Sequence, residues 1–366
     1  MFNIPERGGR PQNLRIQIPS PPQEHNTRAP PPLQLQINPK KDRKPPDLSL
    51  YTQQAAITTT TNTTVHPRDL PLETLGSSGL ESLALNKEIY DVGSLGAGAG
   101  GWVSKCEIRP NDPNLPKKIF AIKTLPPGPR DIELKELIIN ERCNSPYIVK
   151  YYGTFRHEGN ICIAMEYMDA KSLHEVYNRV KSEGAFLHER VLSEIARSIL
   201  LGLKYLNAQR ILHRDIKPSN ILFNLNGAIK LCDLGISRDL DGTLASTFVG
   251  TRNYMAPERL SGEKYGVNCE TWSVGITILE AAIGEHPLPE HDEFVANYDK
   301  LAPPQLTDLP DYGVMWSPAF KDFINQCLKV NVNVRPSPTQ MLEHPWIKNQ
   351  QDKPIDMGAF IRRVWQ

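Results

Sequence analysis

Long hydrophobic runs are missing from this chain: nowhere in its 366 residues do eighteen apolar residues follow one another. Residues 1–30 are polar and proline-rich, so neither a membrane-spanning helix nor a secretory leader is expected. Cysteine is sparse and scattered. The six residues Cys106, Cys143, Cys162, Cys232, Cys269 and Cys327 include no C-x-x-C spacing, which argues against a disulfide framework or a zinc ribbon. Free thiols in a reducing compartment are expected, and with them a cytoplasmic protein. The sequon Asn62-Thr63-Thr64 is then a chance match, because glycosylation requires secretion. An excess of either charge is also lacking. Lys and Arg number 42 against 41 Asp and Glu, a net +1, which argues against nucleic acid or an anionic membrane as the main partner.

Apolar residues make up 39% of the chain, and the shortfall is concentrated at the N-terminus. Eleven prolines fall within residues 1–50, and residues 58–64 are threonine but for Asn62. Such a segment buries too little apolar surface to offset its ordering entropy, so residues 1–80 are expected to be a disordered tail. Beyond it, Ile119–Lys123 reads as a strand and Ile132–Cys143 as a helix, with a strand pair around Ile148–Phe155 and Ile161–Met165. From Leu187 the spacing turns helical through Val191, Ile195, Ile199, Leu203 and Leu206. Trp272–Ile283 is apolar nearly all round, as a helix buried in a core would be. Strands therefore precede helices, and no internal repeat is present.

The densest chemistry lies in His213-Arg214-Asp215-Ile216-Lys217-Pro218-Ser219-Asn220, followed by Asp233-Leu234-Gly235 after the apolar run Ile229–Cys232. The first segment puts an acid, a cation and an amide on one tight loop, and the second adds a carboxylate. This order resembles the catalytic loop and metal loop of protein kinases. The resemblance implies an α+β, bilobal protein kinase fold, with a β-rich N-lobe and a helical C-lobe, and Mg-ATP (ATP with Mg2+) as cosubstrate. It casts Asp215 as acceptor of the hydroxyl proton and Lys217 as partner of the transferring phosphoryl, with Asn220 and Asp233 as metal ligands. Upstream, Leu95-Gly96-Ala97-Gly98-Ala99-Gly100-Gly101-Trp102-Val103 fits the G-x-G-x-x-G-x-V loop, whose glycines let backbone amides approach phosphates. Ala121-Ile122-Lys123 follows where the phosphate-pairing lysine is expected. Its helical partner is assigned to Glu136 over Glu133 and Glu141, because Glu136 falls where the kinase pattern places it. Met165, Glu166, Tyr167 and Met168 are expected between the lobes, where adenine meets backbone groups; Met165 either sets the depth of that pocket or is an ordinary core methionine. Cys232 either faces the nucleotide or is a buried, inert thiol.

The stretch from Asp233 to Gly262 is narrower still. Thr243 and Thr247 form an S/T-x-x-x-S/T pair ahead of Phe248-Val249-Gly250-Thr251-Arg252-Asn253-Tyr254-Met255-Ala256-Pro257-Glu258-Arg259. Together with Cys143–Val149 and Pro336–Trp346, this closely resembles the mitogen-activated protein kinase kinases. The match covers residues 88–348, with 349–366 left as a C-terminal tail. The resemblance implies a dual-specificity kinase that is switched on by phosphorylation of Thr243 and Thr247 and acts on the threonine and tyrosine of a T-x-Y loop. The partners implied are a downstream MAP kinase and an upstream MAP kinase kinase kinase, with a scaffold protein as a third candidate. Each phosphate would add about −1.5 to −2 charges, for which Arg214 is the first acceptor and Arg238 the second. Thr251 and Lys217 mark the serine/threonine branch, and Glu258 is expected to pair with Arg335. In the tail, Lys40, Lys41, Arg43 and Lys44 followed by Leu48 and Leu50 resemble the family's docking motif; Leu14–Ile16 and Pro31–Ile37 repeat the apolar alternation with fewer charges. Asp356–Ile361 is either the segment that meets the upstream activator or an amphipathic helix packed on its own domain.

Four features depart from the pattern. Leu234 replaces the usual phenylalanine, Asn140 an aliphatic residue, and Glu270 an aspartate that supports the catalytic loop; the segment from Glu285 to Pro310 is short. None removes a reacting group. The alternative function is a catalytically weak pseudokinase, an adaptor whose tail tethers a cascade.

Overall fold

The structure is a computed structural model that describes residues 65–98, 101–127, 143–234, 252–287, 315–351 and 354–366, all within one compact unit. Five antiparallel strands form the N-lobe sheet: β1 (Ile89–Gly98), β2 (Gly101–Ile108), β3 (Lys118–Leu125), β4 (Tyr151–His157) and β5 (Asn160–Glu166), in the order β1-β2-β3-β5-β4. The β-branched and aromatic residues that favour strands supply one buried face, where Cys106, Ile108, Phe120, Ile122, Phe155, Cys162 and Ala164 pack together.

That face is closed by a helix the composition had concealed. Helix α1 (Leu72–Leu85) lies on β4 and buries Leu72, Leu75, Leu80 and Leu83. The expectation that residues 1–80 form a disordered tail is corrected for residues 67–80, which hold a turn of 3-10 helix at Pro67–Asp69 and the start of α1; residues 1–64 lie outside the described residues. Apolar burial is the physical reason: Leu72, Leu75, Leu80 and Leu83 supply the buried surface that holds α1 on the sheet. Helix α1 kinks at Gly76 (φ 57°), and the kink meets β4 at Gly153, where a Cβ would stand 2.9 Å from the Gly76 carbonyl carbon. The Ser77 hydroxyl accepts the Thr154 N–H at 3.0 Å.

The C-lobe is helical. Helix α2 (Leu173–Ser182) starts with a capping box between Ser172 and Glu175. Helix α3 (Glu189–Ala208) turns Val191, Ile195, Ile199, Leu203 and Leu206 inward, as its spacing predicts. A short hairpin follows, β6 (Ile221–Phe223) with β7 (Ile229–Leu231). Helix α4 (Pro257–Leu260) leads to α5 (Asn268–Ile283), which is buried over nearly its whole length and ends at Gly284 in the left-handed conformation. Helices α6 (Pro318–Cys327), α7 (Pro338–Met341) and α8 (Pro345–Gln351) surround α5 and α3. The last helix, α9 (Met357–Val364), buries Met357, Phe360, Ile361 and Val364 in the same core, so the residues after Asp356 pack on their own domain. Among the described residues no helix is long and apolar enough to cross a membrane, and all six cysteines are free thiols.

Contacts from the β6–β7 hairpin help to join the lobes. Leu231 bonds through its N–H and C=O to Tyr147 and Val149, both at 2.9 Å. Lys230 pairs with Glu166 at 2.7 Å just before the interlobe linker.

Candidate active site

The loop after α3 carries the expected acid in a fixed frame. Asn220 reaches back through Nδ2 to Asp215, 2.7 Å from Oδ2 and 2.8 Å from the carbonyl oxygen. Lys217 lies 3.1 Å from the same Oδ2. The Asn220 amide nitrogen is thus spent on Asp215, and any cation would meet its Oδ1. The β6–β7 hairpin then returns the chain to this point: Cys232 N–H donates to the Asn220 carbonyl at 3.0 Å, which brings Asp233 beside the amide.

Asp233 adopts φ 53° and accepts an ion pair from Lys123 at 2.8 Å. Burial pushes its carboxyl up, but the charge and hydrogen bond of Lys123 outweigh that and leave it below the ordinary aspartate range. It is therefore ionised at neutral pH and suited to a cation. Lys123 comes from the middle of β3, opposite Val103 on β2. On β1, Gly96, Ala97 and Gly98 pair with Val103, Trp102 and Gly101. Leu95 is exposed beside them.

A cavity behind this cluster is lined by Lys123, Ile148, Met165, Cys232, Asp233 and Leu234. Met165 thus faces the pocket as well as the sheet. Cys232 is partly buried and lines the cavity, and desolvation there holds its thiol well above the usual range and so protonated. Leu234 is buried in the C-lobe core, as an apolar replacement for phenylalanine requires. Met168 is buried, and the Glu166 carboxylate is turned to Lys230 and to the Lys150 N–H.

Glu270, on α5, keeps the supporting role expected of an aspartate. Its Oε1 accepts the N–H groups of His213 at 2.6 Å and Arg214 at 2.9 Å. Burial pushes this carboxyl up to about 7, against the pull of those two N–H groups. Burial also lowers the neighbouring His213 to about 4, so its ring is neutral. Glu258 and Arg335 form the expected buried pair, through bonds of 2.7 and 3.0 Å. Sequence reasoning missed Arg259, which donates to the Arg214 carbonyl at 2.9 Å. Its only sequence signal is a basic residue directly after the Ala-Pro-Glu glutamate.

Several expectations lie outside the described residues: Glu136 with its competitors Glu133 and Glu141, Asn140, Arg238, Thr243, Thr247, Thr251, most of the segment from Glu285 to Pro310, and the docking-like residues Lys40, Lys41, Arg43, Lys44, Leu48 and Leu50. The Lys123–Glu136 pair is among them.

Residues 90–347 match the family model described as the protein kinase domain. The chain is 42% identical to the MAP kinase kinase MKK1/SSP32 of Saccharomyces cerevisiae, over 81% of this chain and 60% of the relative. It is 43% identical to the MAP kinase kinase skh1/pek1 of Schizosaccharomyces pombe, over 80% and 83%. It is 35% identical to the dual specificity mitogen-activated protein kinase kinase dSOR1 of Drosophila melanogaster, over 75% and 74%. The chain thus spans about three fifths of the Saccharomyces relative's length and most of the other two. With a matching kinase domain over most of its length and relatives of this identity, the chain belongs to the protein kinases and, within them, to the MAP kinase kinase family.

Proposed function

We propose that the chain is a dual-specificity kinase that transfers phosphate from Mg-ATP to the threonine and tyrosine of a T-x-Y loop in a MAP kinase. An upstream kinase would switch it on at Thr243 and Thr247, and the stretch Lys40–Leu50 would hold the substrate. The observation that carries this reading is the frame around Asp215: Asn220 and Lys217 both bind its carboxylate, and Asp233 stands ionised beside them. Asp215 so held can take the proton of an incoming hydroxyl, while Lys217 places positive charge beside the transferring phosphoryl. Among the described residues no three His, Cys, Asp or Glu side chains gather as a metal cluster. A site of one amide and one carboxylate fits magnesium, which takes few protein ligands and fills the rest with phosphate oxygens and water. When bound, the metal would supply charge neutralisation on the phosphates.

The test uses the full chain carrying T243E/T247E, with and without D215N, and a kinase-dead T-x-Y protein as acceptor. Label on both threonine and tyrosine, abolished by D215N, is the expected result. Label on threonine alone would reduce the reading to a serine/threonine kinase. Tight binding of the acceptor through Lys40–Leu50 without label would make the chain an adaptor.

A further inference from the structure

Around Arg214 the backbone is held more firmly than the catalytic-loop pattern alone accounts for. Arg214 takes φ 67°, a left-handed conformation that is unfavourable for a residue with a Cβ and persists only where its surroundings enforce it. Glu270 accepts the N–H groups of His213 and Arg214. Arg259 donates Nη1–H to the Arg214 carbonyl at 2.9 Å. Three backbone groups, the His213 N–H and both groups of the strained Arg214, are therefore gripped by two side chains, one from α4 and one from α5. Asp215 is the next residue.

Arg259 is itself locked in place. It is 9% exposed, and its guanidinium lies over the Tyr265 ring at 5.2 Å. Its neighbour Glu258 is tied to the buried Arg335, which anchors the single turn of α4 to the C-lobe core. The charge of Arg259 also favours the ionised form of Glu270. By sequence, α4 follows directly on the segment that carries Thr243 and Thr247.

We propose that Arg259 is a positioning residue for phosphoryl transfer: by clamping the Arg214 carbonyl, as Glu270 does the N–H, it fixes the direction in which Asp215 meets the substrate hydroxyl. This rests on the kinase reading above. It makes α4 the joint through which the end of the activation segment acts on the catalytic loop. Glu270 is faced by His213 and Arg214 from the loop and Arg259 from α4, with Cys269 beside it; Glu258 is taken up by Arg335. Loss of the Arg259 charge pushes the Glu270 carboxyl further up, and a neutral carboxyl is the poorer acceptor for two N–H groups.

The experiment compares R259M, R259K and E270Q in the full chain carrying T243E/T247E. For each, kcat and the KM for ATP are measured across the neutral pH range, alongside thermal unfolding. R259M should lower kcat about tenfold or more with the ATP KM changed by no more than about twofold, the signature of a lost transition-state contribution. Its acid limb should move to higher pH. R259K, which keeps the charge, should restore part of kcat and return the limb; E270Q should flatten the limb. An R259M protein with unchanged kcat and limb, in an active background, overturns the inference alone. So does equal inactivity of R259M and R259K that tracks loss of folded protein, because Arg259 is then only a packing residue. Absence of turnover in the parent protein sinks the kinase reading, and this inference with it.

Discussion

At Gly101, the first residue of β2, the backbone takes φ 118°, and a Cβ there would stand 1.9 Å from the Thr124 carbonyl oxygen. Both the conformation and the contact demand glycine, since the obstacle is backbone of β3 rather than a side chain that can swing away. G101A should therefore cost about 2 kcal/mol or more and loosen the β2–β3 pairing that carries Lys123. Denaturant unfolding checks the cost, and a raised KM for ATP checks the displacement. Arg335 makes the same kind of argument with charge. Its side chain is wholly buried, bound to Glu258 and to the carbonyls of Lys329 and Val330. R335M would leave the Glu258 carboxylate buried without its cation, a loss of about 3–5 kcal/mol, to be read as a lowered unfolding midpoint at unchanged m-value. The expected Glu258–Arg335 pair was legible from the sequence because both members sit in recognisable motifs. Arg259 was not, because its partner is a backbone carbonyl 45 residues away and nothing in the local pattern points there.

At the scale of elements, the contrast between α1 and α9 shows what periodicity can and cannot disclose. Met357, Phe360, Ile361 and Val364 keep an unbroken helical stripe, which is why an amphipathic helix on its own domain stood as one of the two readings of this segment. In α1 the buried residues Leu72, Leu75, Leu80 and Leu83 are out of step, because Gly76 breaks the helix between the first pair and the second. The proline- and threonine-rich sequence before it completed the disguise. Packing nevertheless makes α1 part of the N-lobe: Leu80 and Leu83 are fully buried against the sheet. L80A and L83A should each cost about 2–5 kcal/mol, the range for a leucine removed from a packed core. If α1 were a dispensable appendage, both would fall within about 0.5 kcal/mol of the parent in urea unfolding. The strands β3 and β5 and the helices α3 and α5 were legible for the opposite reason. Each is a single uninterrupted run with one period, and burial on one face or on all faces leaves a plain trace.

For the molecule as a whole, the buried pair His213 and Glu270 opposes itself in its response to acid. Glu270 is raised to about 7 from an ordinary glutamate value of 4.5, so the fold prefers its neutral form. Its contribution to stability is fully present below about 4.5 and is lost as pH rises through about 7. His213 is lowered to about 4 from 6.5, so its contribution is present above about 6.5 and is lost as pH falls towards about 4. Between these limits one group gains what the other gives up, and the centre of the C-lobe is buffered against mild acid. Activity is not buffered, because the loop N–H groups need the Glu270 carboxylate. The protein should therefore remain folded near pH 6 while its turnover declines. E270Q removes one half of the balance. The stability of E270Q relative to the parent should improve by about 3 kcal/mol between pH 4.5 and 7, the free energy of a shift of this size. Urea unfolding of both proteins at several pH values across that window measures the difference directly. A difference that stays flat with pH would mean that Glu270 is ionised throughout, and that the acid limb of turnover belongs to another group.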